Sequence, residues 1–519
     1  MDYFFIASGN WGLKRSRLAL NFNFAHLNRW AICLLGFLLL APALLWRLAE
    51  YPTVGFDEGY RLSAARTLAV RGIYGTTTTR GDLPFDPGYS SGPVELLTHA
   101  ALYRLFGPSI WAPRLSIALI TMVCVGVACS LLRQLSDART AILAILTVLA
   151  APTLEGTSLI FLGRQILGEA PALLFILLGF WLLLRAWAGR QVPSAIGAGL
   201  AFGLAITSKG QYAIVLTPVL IMMAAALGWR RAQPWRVALA TPITMLWFYV
   251  TWQSLSYALT PEAVRAENRV MLLDAVQTNL ITPLFGRGLT TSAWVIAVIM
   301  FLSAIWPLRR FLRRWRRAQP RHWLEVTLAL YVLATAGWFV FLSIGWPRYA
   351  FAGWVIALLL VGLWVYPVVR WLQMRLPQFM RPALNLNVLA SFLAVAIFLA
   401  HLLPIAQFNQ SLQLENTAHY IQTHIPREAV IETWEWELDA FTDHWNIHHP
   451  HQRYLFLAIR QFMHDRRPFD LQYDALQANP AYLIVGPMAR WTGIYSAQQL
   501  SSEFIEIASF EGYVIYQRR

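Results

Sequence analysis

Residues 93–106 read PVELLTHAALYRLF, and the interpretation of this stretch decides the membrane topology of the whole chain. The stretch is apolar, but it is short, and Glu95 and Arg104 interrupt it. A helix that crosses a bilayer needs roughly 20 apolar residues. We therefore expect a helix that lies along the membrane surface. If it crossed instead, every later segment would change sides.

The composition is that of a membrane protein. Of 519 residues, 57% are hydrophobic and only 13% are charged, whereas a soluble protein would carry roughly a quarter of charged residues. The net charge of +15 does not indicate a nucleic-acid partner. Its basic residues cluster in short loops between apolar runs, which is the pattern of cytoplasmic loops. Membrane lipids are the partners that this pattern predicts.

Apolar runs on both sides of 93–106 predict about eleven transmembrane helices. With 93–106 at the surface, the loops rich in arginine all fall on one side, including RRFLRRWRRAQPRH at 309–322. That side is the cytoplasm by the positive-inside rule. The predicted spans are 30–48, 112–132, 140–152, 170–187, 194–208, 211–227, 237–255, 291–307, 323–343, 351–367 and 386–404.

The chain divides near residue 404. Residues 1–404 form the predicted membrane domain, with a first outer loop at 49–111 and a second at 256–290. Beyond it the composition becomes polar, with strand-like runs AYLIVG and FEGYVIYQRR and a helix-like run ENTAHYIQTHI. We expect a small soluble α/β domain at 405–519. The predicted location is the cytoplasmic (inner) membrane, with this domain on its outer face.

Ionisable residues collect at the predicted outer ends of the spans. Such groups at membrane depth cost several kcal/mol unless they are paired or functional. A carboxylate can act as general base on a hydroxyl, and lysine or arginine can neutralise a phosphate. The outer face has no pool of nucleotide-activated sugars, so a sugar donor there would be anchored to lipid. The candidate residues are Asp57, Glu58, Arg164, Glu169, Lys209, Arg348 and Tyr349.

A histidine-rich stretch, DHWNIHHPHQ, lies in the C-terminal domain and contains His444, His448, His449 and His451. Pro450 would break any helix there. We favour a surface loop that contacts the acceptor, with a divalent metal site as the alternative. No other cofactor is predicted.

Five segments in order resemble the GT-C glycosyltransferases: FDEGY, DPGYSSGPVELLTHAALYRLFG, GRQILGEAPALLF, GLAITSKGQYAI and PRYAF. Within that superfamily the chain resembles the bacterial branch related to protein O-mannosyltransferases and to the aminoarabinose transferases of lipid A. The resemblance covers about residues 30–370. It implies a membrane domain of the GT-C type, a polyprenyl-phosphate sugar donor and a single inverting transfer.

The resemblance also implies roles for individual residues. The aspartate of the first outer loop, here Asp57, would be the catalytic base, and Glu58 would match the second acid. The aminoarabinose branch has a phosphate-binding lysine in this loop, but the matching DPGYSSGP has none. This departure argues against lipid A modification. It moves donor phosphate binding to Lys209, Arg348 or Arg164, with Glu169, Tyr349 and Tyr60 as substrate-binding residues.

The sequence therefore predicts a hexosyl- or pentosyltransferase that passes a sugar to an exported glycan, lipid or protein hydroxyl. Two alternatives stay open. One is a transporter or flippase for a lipid-linked anionic substrate, which would place its charges near mid-membrane between broken helices. The other is an inactive GT-C-like protein that serves as an assembly partner.

The topology can be tested with reporter fusions. A fusion after Arg317 should report the cytoplasm, and one at Arg519 should report the outside, because an odd number of spans separates the basic N-terminus from the C-terminal domain. Alkaline phosphatase and green fluorescent protein give opposite signals on the two sides. The inverted result, with the fusion after Arg317 outside and the fusion at Arg519 in the cytoplasm, would show that 93–106 crosses the membrane.

Overall fold

The computed structural model describes residues 40–86, 92–151, 156–281, 289–375, 386–409, 412–444, 446–462 and 473–519. Most of the predicted first span lies outside these residues, although 40–45 are helical. Residues 87–91, in the predicted DPGYSSGP loop, also lie outside them.

Long helices account for the membrane part of the chain. They occupy the positions of the ten later predicted spans, so the polytopic helical fold is confirmed. The helices are α3 (Trp111–Leu135), α4 (Ala138–Leu149), α6 (Glu169–Gly189), α7 (Val192–Ser208), α8 (Tyr212–Trp229), α9 (Trp235–Leu259), α11 (Thr291–Arg314), α12 (Pro320–Phe341), α13 (Phe351–Arg375) and α14 (Leu386–Gln407). The short helix α5 (Leu159–Leu162) lies between α4 and α6.

Six helical segments of the described chain are long and apolar enough to cross a membrane. They correspond to α3, α6, α8, α11, α12 and α13. Three shorter apolar helices lie at other predicted span positions: α4, α7 and the described part of α14. The chain is thus a multi-pass membrane protein, and the count of eleven spans stays a prediction.

The segment that decides the topology forms α2 (Pro93–Phe106), a helix of 14 residues. At 1.5 Å per residue it is about 21 Å long, shorter than the roughly 30 Å of a hydrocarbon core. Glu95, Leu96, His99 and Ala100 are buried on one face. Leu97, Leu105 and Phe106 are exposed. This two-sided pattern fits the predicted surface helix.

The predicted first outer loop also contains α1 (Phe56–Arg71), which precedes a two-stranded hairpin. Strands β1 (Gly75–Thr78) and β2 (Gly81–Pro84) pair antiparallel in this hairpin. Its tip joins the C-terminal part of the chain, because the Thr79 amide donates to the His449 carbonyl over 2.9 Å. The predicted second outer loop contains α10 (Glu262–Ala275), and Arg80 of the hairpin pairs with Glu267 of this helix.

A five-stranded mixed sheet lies in the C-terminal segment, which confirms the small α/β unit predicted there. The strands are β3 (Ile431–Thr433), β4 (Ile447–His448), β5 (Tyr482–Val485), β6 (Phe504–Phe510) and β7 (Tyr513–Arg518). Their order in the sheet is β4-β3-β5-β7-β6. Strand β3 pairs parallel with β4 and β5, and β7 pairs antiparallel with β5 and β6. Helices α15 (Gln413–His424), α16 (Arg453–Phe462), α17 (Pro487–Thr492) and α18 (Ala497–Glu503) accompany them.

The stretch IETWEWELDAF at 431–441 forms the platform on which α1 rests. Trp434 and Trp436 are fully buried, and Trp436 packs edge-on against Tyr60 of α1. The backbones of the two segments touch at Gly59, where a side-chain Cβ would lie 2.2 Å from the Glu437 nitrogen. Only glycine allows this approach, so the C-terminal segment fixes the position of α1.

Gly59→Ala should therefore destabilise the protein even though alanine is the better helix former. The new methyl group would force α1 away from 436–437, and overpacking of this kind costs about 1–3 kcal/mol. The measurement is the thermal unfolding midpoint in detergent, which we expect to fall. Gly337→Ala on α12 is the control, since a Cβ there meets nothing within 4 Å. Equal decreases in the unfolding midpoint of both variants would contradict the close packing of α1 on the platform.

Candidate active site

The two acids at the start of α1 have different environments. Glu58 is 2% exposed and forms a two-pronged ion pair with Arg114 of α3. Arg114 Nε and Nη2 donate to its two oxygens over 3.0 and 2.6 Å. The Ile166 amide donates to the same carboxylate over 2.9 Å. Both oxygens of Glu58 are thus bound within the protein, which indicates an anchoring role, and its predicted catalytic role stays a prediction.

Asp57 faces a different direction and is partly open to water. Its side chain is 41% exposed, and its carboxylate accepts a hydrogen bond from Arg348 Nη1. Partial burial raises the pKa of Asp57, but Arg348, Lys209 and Arg61 outweigh this and hold the pKa below its usual range. Its place in the first turn of α1 also favours the charged form. Asp57 is therefore an ionised carboxylate beside a guanidinium.

A second ion pair joins Lys209 to Glu169 over 2.9 Å. Lys209 follows the last residue of α7, and Glu169 is the first residue of α6. These helix ends touch closely, because a Cβ on Gly168 would lie 2.5 Å from the Ser208 carbonyl oxygen. The glycine thus brings the carboxylate and the ammonium together. Glu169 is fully buried, and Lys209 keeps 13% of its side chain exposed.

A third pair, Arg61 of α1 with Glu95 of α2, lies next to the second one. Arg61 Nη1 and Glu95 Oε1 are 2.6 Å apart, and both side chains are largely buried. A Cβ on Gly168 would also come within 3.5 Å of this pair. Arg61 acts electrostatically on both Asp57 and Glu169. We define the site cluster as these three ion pairs: Asp57–Arg348, Glu169–Lys209 and Glu95–Arg61.

Tyr349 forms the apolar wall between two of these cations. Lys209 Nζ lies 5.8 Å from the centre of its ring, and the Arg348 guanidinium lies 5.9 Å from it. Trp346 covers Arg348 from another side at 5.4 Å. Aromatic faces stabilise cations and can also stack on sugars. The structure thus brings together five predicted residues: Asp57, Glu169, Lys209, Arg348 and Tyr349.

The structure places Arg164 outside the site cluster, and its predicted binding of donor phosphate stays a prediction. Its guanidinium is buried and donates to four backbone carbonyls that precede α1. These are the carbonyls of Ala43, Trp46, Arg47 and Tyr51, at 2.6 to 3.1 Å. Four of its five N–H donors are used in this way. Arg164 therefore fixes the end of the predicted first span and the chain that leads from it to α1.

Tyr60 also lies outside the site cluster, and its predicted substrate contact stays a prediction. Its side chain is buried, and its hydroxyl donates to Asp86 over 2.5 Å. The ring packs on Trp436 of the platform. Arg61 is the next residue of α1 and is equally buried, but its side chain points in another direction, toward Glu95 of α2.

The histidine run is part of the C-terminal packing. His449 is buried, stacks on Trp436 at 3.8 Å and lies 3.2 Å from Asp439. His444 hydrogen bonds to the Pro426 carbonyl. Both are buried, so they do not form the predicted surface loop. Among the residues that the structure describes, no group of three or more acidic, histidine or cysteine side chains is arranged to hold a metal.

Sequence reasoning missed the partners that hold α1. In the sequence, Arg114 lies inside a predicted span and Glu95 interrupts the apolar stretch 93–106, so neither is a candidate site residue. Arg66 of α1 pairs with Asp439 of the platform over 3.2 Å. One sequence signal was available, because α1 carries three arginines on a helix that also carries two acids.

A cavity of about 640 Å³ lies at the opposite end of the helices. Trp306, Arg310, Glu325 and Trp364 are among the residues that line it. It adjoins the last turn of α3, whereas Arg114 beside the site cluster lies in the first turn. The cavity is therefore separate from the site cluster.

Comparisons with known proteins agree with this fold. Residues 90–257, from before α2 into α9, match the sequence model of the family dolichyl-phosphate-mannose-protein mannosyltransferase. No curated protein sequence matches the chain. Among solved structures, ArnT from Cupriavidus metallidurans bound to undecaprenyl phosphate is similar with a TM-score of 0.57 and 15% identity, over 93% of this chain and 97% of that one. Its apo structure gives a TM-score of 0.58 at 15% identity, over 93% and 96%.

These matches show that the chain shares the fold of ArnT over 93% of its length, which extends beyond the residues, about 30–370, where the sequence resembles the GT-C glycosyltransferases. The arabinosyltransferase EmbB from Mycobacterium smegmatis is also similar, at 14% identity over 72% of this chain and 41% of that one, but its TM-score is only 0.39.

The anchoring role of Glu58 can be tested by Glu58→Gln. The amide leaves the charge of Arg114 buried and uncompensated, which costs about 3–5 kcal/mol. We expect a clear fall in the thermal unfolding midpoint. Asp443→Asn is the control, because its pair with Arg427 is exposed and such pairs are worth about 0–1 kcal/mol. If Glu58→Gln lost activity while its unfolding midpoint stayed unchanged, the result would support the predicted catalytic role of Glu58.

Proposed function

We propose that the chain is a glycosyltransferase that moves a sugar from a polyprenyl-phosphate donor to a hydroxyl of an exported acceptor. The observation that carries this proposal is the site cluster itself. It combines one partly exposed carboxylate, Asp57, with three cations: Lys209 and Arg348 lie at the ends of membrane helices, and Arg61 lies within α1. This is the set of groups that sugar transfer from a lipid-linked phosphate requires.

In the proposed reaction, the acceptor oxygen attacks the anomeric carbon of the sugar from the face opposite the phosphate. The bond between this carbon and the phosphate oxygen breaks, and its electron pair stays on the phosphate. The acceptor proton moves to the Asp57 carboxylate, which acts as general base. The configuration at the anomeric carbon inverts.

The cations of the cluster would stabilise the leaving group. A sugar phosphodiester carries one negative charge, and the released polyprenyl phosphate carries up to two. Arg348 and Lys209 both lie beside Tyr349, where they can neutralise this added charge as it develops. Glu169 Oε2 has no hydrogen-bond partner among the described residues, and we propose that it accepts a hydrogen bond from a hydroxyl of the sugar.

The position of the charges favours a transferase over a transporter. A transporter site is expected near mid-membrane between broken helices. Glu169 begins α6, Lys209 follows α7, and Arg348 precedes α13. The cluster thus sits at helix ends, where a soluble acceptor and a lipid headgroup can both reach it.

The proposal includes an orientation. We place the site cluster and the domain 405–519 on the outer face of the cytoplasmic membrane, with 1–404 as the membrane domain. The arginine-rich stretch 309–317 supports this placement, because it lies at the far end of α11 from the cluster. The assay described below identifies which donor sugar and which acceptor the protein uses.

Asp57→Asn should abolish turnover, since it keeps the shape of the side chain and removes its basicity. General-base help is worth roughly 10²–10⁴-fold. The purified protein is incubated with undecaprenyl-phosphate-linked hexoses and pentoses and a cell-envelope fraction as acceptor. Released undecaprenyl phosphate is measured by mass spectrometry.

Glu50→Gln is the matched control, because it removes a negative charge near α1 outside the site cluster. It should turn over like the unaltered protein. Equal release of undecaprenyl phosphate by Asp57→Asn and by the unaltered protein would refute the role of Asp57 as general base. No release by the unaltered protein with any donor would favour the inactive assembly partner.

A further inference from the structure

Every cation of the site cluster already has a carboxylate partner. Arg348 pairs with Asp57, Lys209 with Glu169, and Arg61 with Glu95. A phosphate that binds there therefore meets no unpaired positive charge. It must either share a cation with a protein carboxylate or displace that carboxylate.

We propose that the donor phosphate displaces Asp57 from Arg348, so that binding of the donor releases the base. This inference rests on the proposed function and adds to it a coupling between donor binding and catalysis. In the empty site Arg348 holds Asp57. In the donor complex Arg348 holds the phosphate, and Asp57 is free to accept the proton of the acceptor hydroxyl.

The exposure of the pairs indicates which one exchanges. The Asp57 side chain is 41% exposed and the Arg348 side chain is 24% exposed. The carboxylates of the other two pairs, Glu169 and Glu95, are fully buried. Separating a buried pair leaves an uncompensated buried charge, which is strongly unfavourable. A partly exposed carboxylate instead regains water when it leaves its partner. The Asp57–Arg348 pair is thus the one that can open.

Arg348 also has a donor ready for a new acceptor. Its Nε is buried and has no hydrogen-bond partner among the described residues. A phosphate can bind a guanidinium through two parallel N–H groups, which a single contact from Asp57 does not satisfy. Lys209 keeps Glu169 instead, because that carboxylate is fully buried and would be left uncompensated if the pair opened.

The test is a binding measurement and needs no turnover. Undecaprenyl phosphate is titrated into the detergent-solubilised full chain by microscale thermophoresis, with undecaprenol and inorganic phosphate as separate ligands. Asp57→Asn should bind undecaprenyl phosphate about tenfold more tightly than the unaltered protein, the scale of one charged hydrogen bond. Lys209→Met should bind it more weakly. Glu50→Gln should leave the affinity unchanged.

A double-mutant cycle separates exchange from simple repulsion between Asp57 and the phosphate. Exchange requires that the gain from Asp57→Asn disappears in an Arg348→Gln background. Repulsion alone would leave the gain intact and would overturn the inference, as would an unchanged affinity of Asp57→Asn. Failure of the unaltered protein to bind undecaprenyl phosphate above undecaprenol would instead overturn the proposed function itself.

Discussion

The buried ion pair between Glu58 and Arg114 fixes the orientation of α1, and the rest of the site depends on that orientation. Both side chains are almost fully buried, and Arg114 also donates to the carbonyls of Leu48 and Ala49. A charge removed from water in this way tolerates little movement of its partner. Once Glu58 faces α3, the helical turn of about 100° per residue directs Asp57 to another side. Asp57 then meets Arg348, and Arg61 meets Glu95.

This arrangement explains why two carboxylates stand next to each other in GFDEGY. They do not share one task. Glu58 is an anchor inside the protein, and Asp57 is an open group at the site cluster. A single acid at this position would have to be both buried and accessible. Adjacent residues on a helix solve the conflict, because neighbouring side chains point in different directions.

The sequence was sufficient to predict the elements but not the side-chain pairings. Apolar run lengths gave the membrane helices and the surface helix α2, because those features depend only on local composition. Glu169, Lys209 and Arg348 were predicted to meet since each lies at a helix end on one predicted face. Arg164 and Glu58 belong to the same face, yet the structure uses both as buried anchors. Local sequence does not encode that choice, because it depends on backbone carbonyls and residues far along the chain.

The contribution of the C-terminal segment was equally hidden, although its sequence IETWEWELDAF is unusual. Its role follows from contacts across nearly four hundred residues, such as Arg66 with Asp439. Burial raises the pKa of Asp439, but His449 and Arg66 outweigh this and keep the pKa below its usual range. The Asp439 carboxylate therefore stays charged and holds α1 against the platform. The C-terminal segment thus takes part in positioning Asp57, the proposed base.

The charge balance of the site cluster links its stability to its proposed chemistry. Three carboxylates and three cations give a neutral assembly, which reduces the cost of keeping six ionised groups beside apolar helices. A bound sugar phosphodiester adds one negative charge. During transfer the phosphate gains a second negative charge while Asp57 loses its own by accepting a proton. The total charge of the occupied cluster is then the same before and after the reaction. Charge only moves from the base to the leaving group, within a set of cations that is already in place.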